Sequence, residues 1–171
     1  MFGILNRKKL RDMLMSAAEY VEYYFVPEDE FFDDSFEEDS YSEEDSYSID
    51  AFLDSDYELE KTFTESLISI IDSKQLRDTD VYKAAHIDRR LFSKIVSDRE
   101  YSPSKDTALA LVFALKLSPD EAMDLLSRAG YSLSHSIKRD LILEFLLQKE
   151  EYDLIYVNEV LYSLGQKPLG R

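Results

Sequence analysis

Arg89, Arg90, Ser93 and Lys94 crowd into a stretch that reads AAHIDRRLFSKI from Ala84 to Ile95. Guanidinium groups are forked donors that match guanine edges and phosphates, and an ammonium or hydroxyl suits phosphate or base contacts. On a helix, Phe92 and Ile95 share one face with Leu91 beside it, while Arg89, Arg90, Ser93 and Lys94 lie mostly on the other. That pattern is suited to holding a polyanion rather than to making or breaking bonds. The plainer alternative is a solvated face in which Arg89 and Arg90 pair with Asp88 or Glu100.

Nothing else in the chain points to catalysis. There is no Cys, which removes disulfides, thiolate zinc sites and thiol nucleophiles. The two His, His86 and His135, lack a ligand-like spacing to carboxylates, so no metal is expected. His86 reads as a turn residue, and His135 as a solvent-facing residue just after a helix start. Carboxylates abound, but in a low-complexity run where nothing fixes their geometry or raises their pKa. With only four Gly there is no glycine-rich phosphate loop. The expectation is a protein with no enzymatic activity and no cofactor.

The elements that must position the cationic residues stand out by composition. A chain of 171 residues, 44% of them hydrophobic, is long enough for one domain with an appendage. Its net charge of −16 is unevenly spread: residues 1–76 carry 6 Lys/Arg against 21 Asp/Glu, residues 77–171 carry 14 against 15. Between Glu19 and Glu60 there are 18 acidic residues and no Lys or Arg. An acidic chain is a poor generic binder of DNA, because nonspecific affinity comes from neutralising phosphates, but the near-neutral C-terminal part can still present a basic face. No apolar run reaches the length of a membrane span, and no secretory signal is read at the start, so a cytoplasmic location is expected.

Four parts follow. Residues 1–26 form an amphipathic helix, with Leu10, Met13, Leu14, Ala17, Val21 and Tyr24 or Phe25 on one stripe and Arg7, Lys8, Lys9 and Arg11 at its start. Such a helix binds a partner or an anionic membrane surface, or, more plainly, docks on its own domain or pairs with a second copy. Residues 27–60 are an acidic linker expected to be disordered. Its aromatics, Phe31, Phe32, Phe36, Tyr41, Tyr47, Phe52 and Tyr57, leave two alternatives: a solvated spacer, or a segment that docks on a protein partner or imitates nucleic acid. Residues 61–131 are punctuated helices. Thr62 and Glu65 form a capping box; Thr79 or Asp80 caps a helix from Val81 to Ala85; Asp88 caps Arg89 to Ser97. Ser102-Pro103-Ser104 opens a helix through Leu117, and Ser118, Pro119 and Glu121 start another that ends at Gly130. Residues 132–171 hold two more helices, Ser136–Lys149 and Asp153–Leu164, with Tyr152, Tyr156 and Tyr162 packing between them. No segment alternates like a strand, so the fold class is all-α.

From Phe63 to Gly130 this order resembles the five-helix domain of the lambda-repressor/Cro-like (Xre) helix-turn-helix family. The resemblance rests on the apolar first helix, on AAHIDRRLFSKI as turn and second helix, and on SPSKDTALALVFALKLSPDEAMDLL. The chain departs from the family pattern at His86, where Gly is usual, at Val96, and in a loop 97–103 one residue longer. The resemblance implies a helix-turn-helix domain followed by two helices, with base contacts from Arg89, Arg90, Ser93 and Lys94 and phosphate contacts from Lys83, Ser104 and Lys105. It implies a transcriptional regulator that binds double-stranded DNA as a homodimer. The charge split adds the expectation that the acidic arm competes with DNA for the basic face. The other expectation is a protein-protein interaction module on the same scaffold, with the arm or residues 1–25 as its docking segment.

Overall fold

The computed structural model describes residues 7–25 and 60–170, and among them every regular element is an α-helix. In chain order these are α1 (Arg7–Tyr24), α2 (Phe63–Ser73), α3 (Asp78–Ala84), α4 (Arg89–Ser97), α5 (Lys105–Ala114), α6 (Pro119–Arg128), α7 (Lys138–Gln148) and α8 (Leu154–Ser163). The protein is all-α over these residues. The expectations for residues 27–59, including their aromatics, fall outside them.

Two helices organise the core. In α5 the run Ala108-Leu109-Ala110-Leu111-Val112-Phe113 is buried on every side. A helix apolar all round must be enclosed, and α3, α6 and α8 pack around it. In α7, Leu141, Ile142, Leu143, Phe145, Leu146 and Leu147 are likewise buried, between α1, α6 and α8. Helix α1 covers α7 with Ala17 fully buried and Tyr20 stacked 5.2 Å from Phe145. Among the described residues, 7–25 belong to the same compact unit as 61–170.

Local chemistry places the helix starts. Thr62 and Ser118 both close reciprocal capping boxes, with Glu65 and Glu121 reaching back to the cap amides. Asp88, Ser104 and Asp153 cap α4, α5 and α8 with side-chain oxygens. Several boundaries differ from those read in the sequence. Helix α3 starts earlier, at Asp78, and has no side-chain cap; Arg77 instead grips Asp80 with two hydrogen bonds of 2.9 and 3.1 Å. Helix α5 stops at Ala114 rather than Leu117, because Lys116 turns left-handed and Leu117 buries. Helix α7 starts at Lys138, since Ser134 and Ser136 bond each other in a preceding turn. His135 therefore precedes a helix, where it bonds Glu144 at 3.0 Å and meets the Tyr24 ring edge-on, with centroids 5.8 Å apart. Tyr156 is buried, but Tyr162 lies on the outer side of α8 with 76% of its surface exposed.

Candidate functional site

Helix α3 ends at Ala84, and the chain reverses through His86, whose φ is 52°. The left-handed residue lets the His86 amide donate to Lys83 O and the Ile87 amide to Tyr82 O, both at 3.1 Å, the paired bonds of a Schellman ending. Ile87 then packs half-buried against the core, and Asp88 Oδ1 accepts from the Arg90 amide at 2.6 Å to open α4. A short helix, a tight turn and a second helix thus follow one another within Asp78–Ser97.

Helix α4 is anchored on one side only. Phe92 and Ile95 are buried, and Phe92 packs 5.9 Å from the Tyr82 ring. At its far end the buried Thr64 hydroxyl donates to Ile95 O at 2.9 Å and lies 3.1 Å from Asp98 O. Thr64 carries no local signal in the sequence, where only Thr62 reads as a cap, because its partners lie 31 and 34 residues away. Together these contacts fix which face of α4 looks outward.

That outward face carries Arg89, Arg90, Ser93 and Lys94, all exposed, with Lys83 exposed on α3. Arg89, Arg90 and Lys83 form no ion pair with another described residue, so the alternative in which the arginines pair with Asp88 or Glu100 is not seen. Lys94 Nζ sits 5.0 Å from the centre of the Tyr101 ring, which steadies it without neutralising it. Arg89 and Arg90 also stand at the positive end of the helix dipole, where cations are disfavoured. Helix stability alone does not account for them there.

The remaining residues divide. Ser104 is exposed, but its hydroxyl caps α5 and bonds Thr107 Oγ1 at 2.9 Å. Lys105, grouped with the outward cations in the sequence, turns inward to an ion pair with Asp140, a carboxylate only 3% exposed that also accepts from the Ser134 amide at 2.9 Å. Next to it, Asp106 binds Arg139 at 2.7 Å and Lys167 at 3.3 Å. Burial opposes ionisation of Asp106, but these two cations outweigh it and hold the carboxyl below its ordinary value. The first turn of α5 is therefore committed to holding α7. Between it and the α3–α4 turn runs a groove of about 510 Å³, lined by His86, Asp88, Leu91, Ser104, Thr107 and Lys167 among others.

Among the described residues, no group of His, Asp and Glu side chains is arranged to hold a metal ion, and no helix is long and apolar enough to cross a membrane. Compared with known proteins, the chain matches no family model, no curated protein and no solved structure.

Proposed function

We propose that the protein is a non-enzymatic regulator that binds double-stranded DNA, with α3 and α4 as a helix-turn-helix motif. The observation that carries this reading is the unpaired cationic face of α4, held outward by Phe92, Ile95 and Thr64. Arg89 and Arg90 would reach base edges or phosphates, Ser93 and Lys94 would follow along the groove, and Lys83 would touch the backbone. Lys105 is left out of this set by its pair with Asp140, and Ser104 contributes through its exposed position only. A homodimer would present two copies of α4 to half-sites about 34 Å apart.

A second reading has its own support. Asp78, Asp80 and Asp88 flank the cationic face, and a mixed-charge surface of this kind also suits a protein partner. Fluorescence anisotropy with random duplex DNA across a salt series separates the two. With four cations in contact, log affinity should fall against log salt with a slope of about −3 to −4, and Arg89→Glu should abolish binding. No binding at low salt would end the DNA reading and leave the protein-partner one. The acidic arm enters through a variant with residues 28–58 replaced by a neutral linker, which keeps α1 tethered. If the arm competes with DNA, that variant binds more tightly than the full chain.

A further inference from the structure

The segment that follows α8 is held along its length by hydrogen bonds and by a buried leucine. Gly165, at φ 70°, reverses its direction and Gln166 N donates to Leu161 O at 2.8 Å. The next residues run back across three helices. Leu169 is buried in the core, and the Asn158 carboxamide clasps its backbone twice, accepting from Leu169 N at 2.7 Å and donating to Leu169 O at 3.1 Å. Arg139 donates from Nε to Lys167 O at 2.8 Å and from Nη2 to Pro168 O at 3.4 Å, while its Nη1 holds Asp106. Gly170 then lies against the α3–α4 turn: a Cβ on it would stand 3.6 Å from Ala85 O and 3.8 Å from the His86 Cβ.

We propose that residues 166–170 are a clip that holds the α3–α4 turn, and that Asn158 and Arg139 are the positioning residues that close it. Through the clip, α7 and α8 set the attitude of a turn more than 50 residues away in sequence. The outward face of α4 begins two residues after that turn, so a loosened clip leaves its cations present but no longer held in one orientation. The inference concerns the fold of the turn and holds whatever the partner of α4 is.

Hydrogen exchange of the full-length protein tests it without any DNA, so its failure is distinct from a failure of duplex binding. The amides to follow are His86 and Ile87, which close the Schellman bonds to Lys83 O and Tyr82 O. Asn158→Ala should speed their exchange at least tenfold, while amides of α2 and α6 keep their original rates. A staple supplies the converse. The chain has no cysteine of its own, and the 3.8 Å between the His86 Cβ and a Cβ at Gly170 is a separation that a disulfide spans, against the backbone strain of a side chain at Gly170, whose φ is 78°. In a chain carrying His86→Cys, Gly170→Cys and Asn158→Ala, the oxidised form should restore slow exchange at residues 86 and 87, and reduction should release it. Unchanged rates at the turn in Asn158→Ala, or an equal acceleration in every helix, would overturn the proposal. If Asn158→Ala does not fold, Arg139→Lys takes its place, with the same expected and overturning results: it keeps a charge for Asp106 but loses the fork that reaches the two tail carbonyls.

Discussion

Among the described residues, four helices end on a left-handed residue that is not glycine: Gln75, His86, Lys116 and Glu150, with φ of 52°, 52°, 50° and 54°. Each lets the next amide reach back into the helix, as Leu117 N does to Val112 O at 3.2 Å and Glu151 N to Leu146 O at 3.0 Å. A Cβ in that conformation costs about 1 kcal/mol, whereas glycine adopts it freely but loses more entropy on folding. Lys116→Gly and Glu150→Gly should each therefore stabilise the protein by about 0.5 kcal/mol, measured as a higher urea midpoint at unchanged slope; a lower midpoint would show that the side chains matter more than the backbone. His86 was legible as a turn residue because AAHID places it between two helix patterns. Lys105 was not legible in the same way. Its cationic character is evident in the sequence, but the carboxylate that turns it inward, Asp140, lies 35 residues further on.

Helix α1 shows how far an element depends on what it touches. It has no acidic residue in its first turn, where Arg7, Lys8 and Lys9 stand instead, and Glu22 lies near its end. Both arrangements oppose the helix dipole. Docking compensates for this: Ala17 is buried, the Gln148 carboxamide donates to the Tyr20 hydroxyl at 3.0 Å, and Lys9 pairs with Glu151. Of the readings open for residues 1–25 in the sequence, the described residues place α1 on its own domain. Ala17→Asp would put an unpaired carboxylate into that apolar contact. We expect α1 to lose its helix while α2–α6 stay folded, read as a drop in ellipticity matching 18 residues and as unprotected amides confined to α1. Protection that persists across α1 would contradict its dependence on the contact.

Across the molecule as a whole, acid should act through a few carboxylates. Glu65 lies below its ordinary value of 4.5 chiefly because the Thr62 amide donates to it, with Arg99 adding to the effect. Asp124 is lowered from 3.8 by its hydrogen bond to Arg128, and Asp106 is lowered from 3.8 by Arg139 and Lys167 against the opposing effect of burial. Groups whose folded pKa is depressed bind fewer protons folded than unfolded. Their stabilisation is complete above the unfolded values and disappears as pH falls through the lower folded ones. Urea midpoints should therefore hold steady down to about pH 4.5 and then decline. Asp106→Asn should start from a lower midpoint and decline less steeply; a slope equal to that of the parent would show that the Arg139–Asp106–Lys167 network is not what acid breaks.

Much of the secondary structure was written locally. Thr62 with Glu65, Ser118 with Pro119 and Glu121, and Asp88 before Arg89 are caps whose partners lie two or three residues away, so sequence alone placed those helix starts. The same holds for the division of α4 into Phe92 and Ile95 inside and Arg89, Arg90, Ser93 and Lys94 outside. The inward turn of Lys105, the grip of Thr64 on α4, the docking of α1 on α7 and the clasp of Asn158 on Leu169 were decided only in three dimensions. So was the exposure of Tyr162, whose aromatic character suits either face of α8. Turns and caps depend on bonds within a few residues, which a sequence displays directly. Which faces meet, and which charges are left outside, depends on how all the apolar stripes are buried at once, and no local pattern encodes that sum.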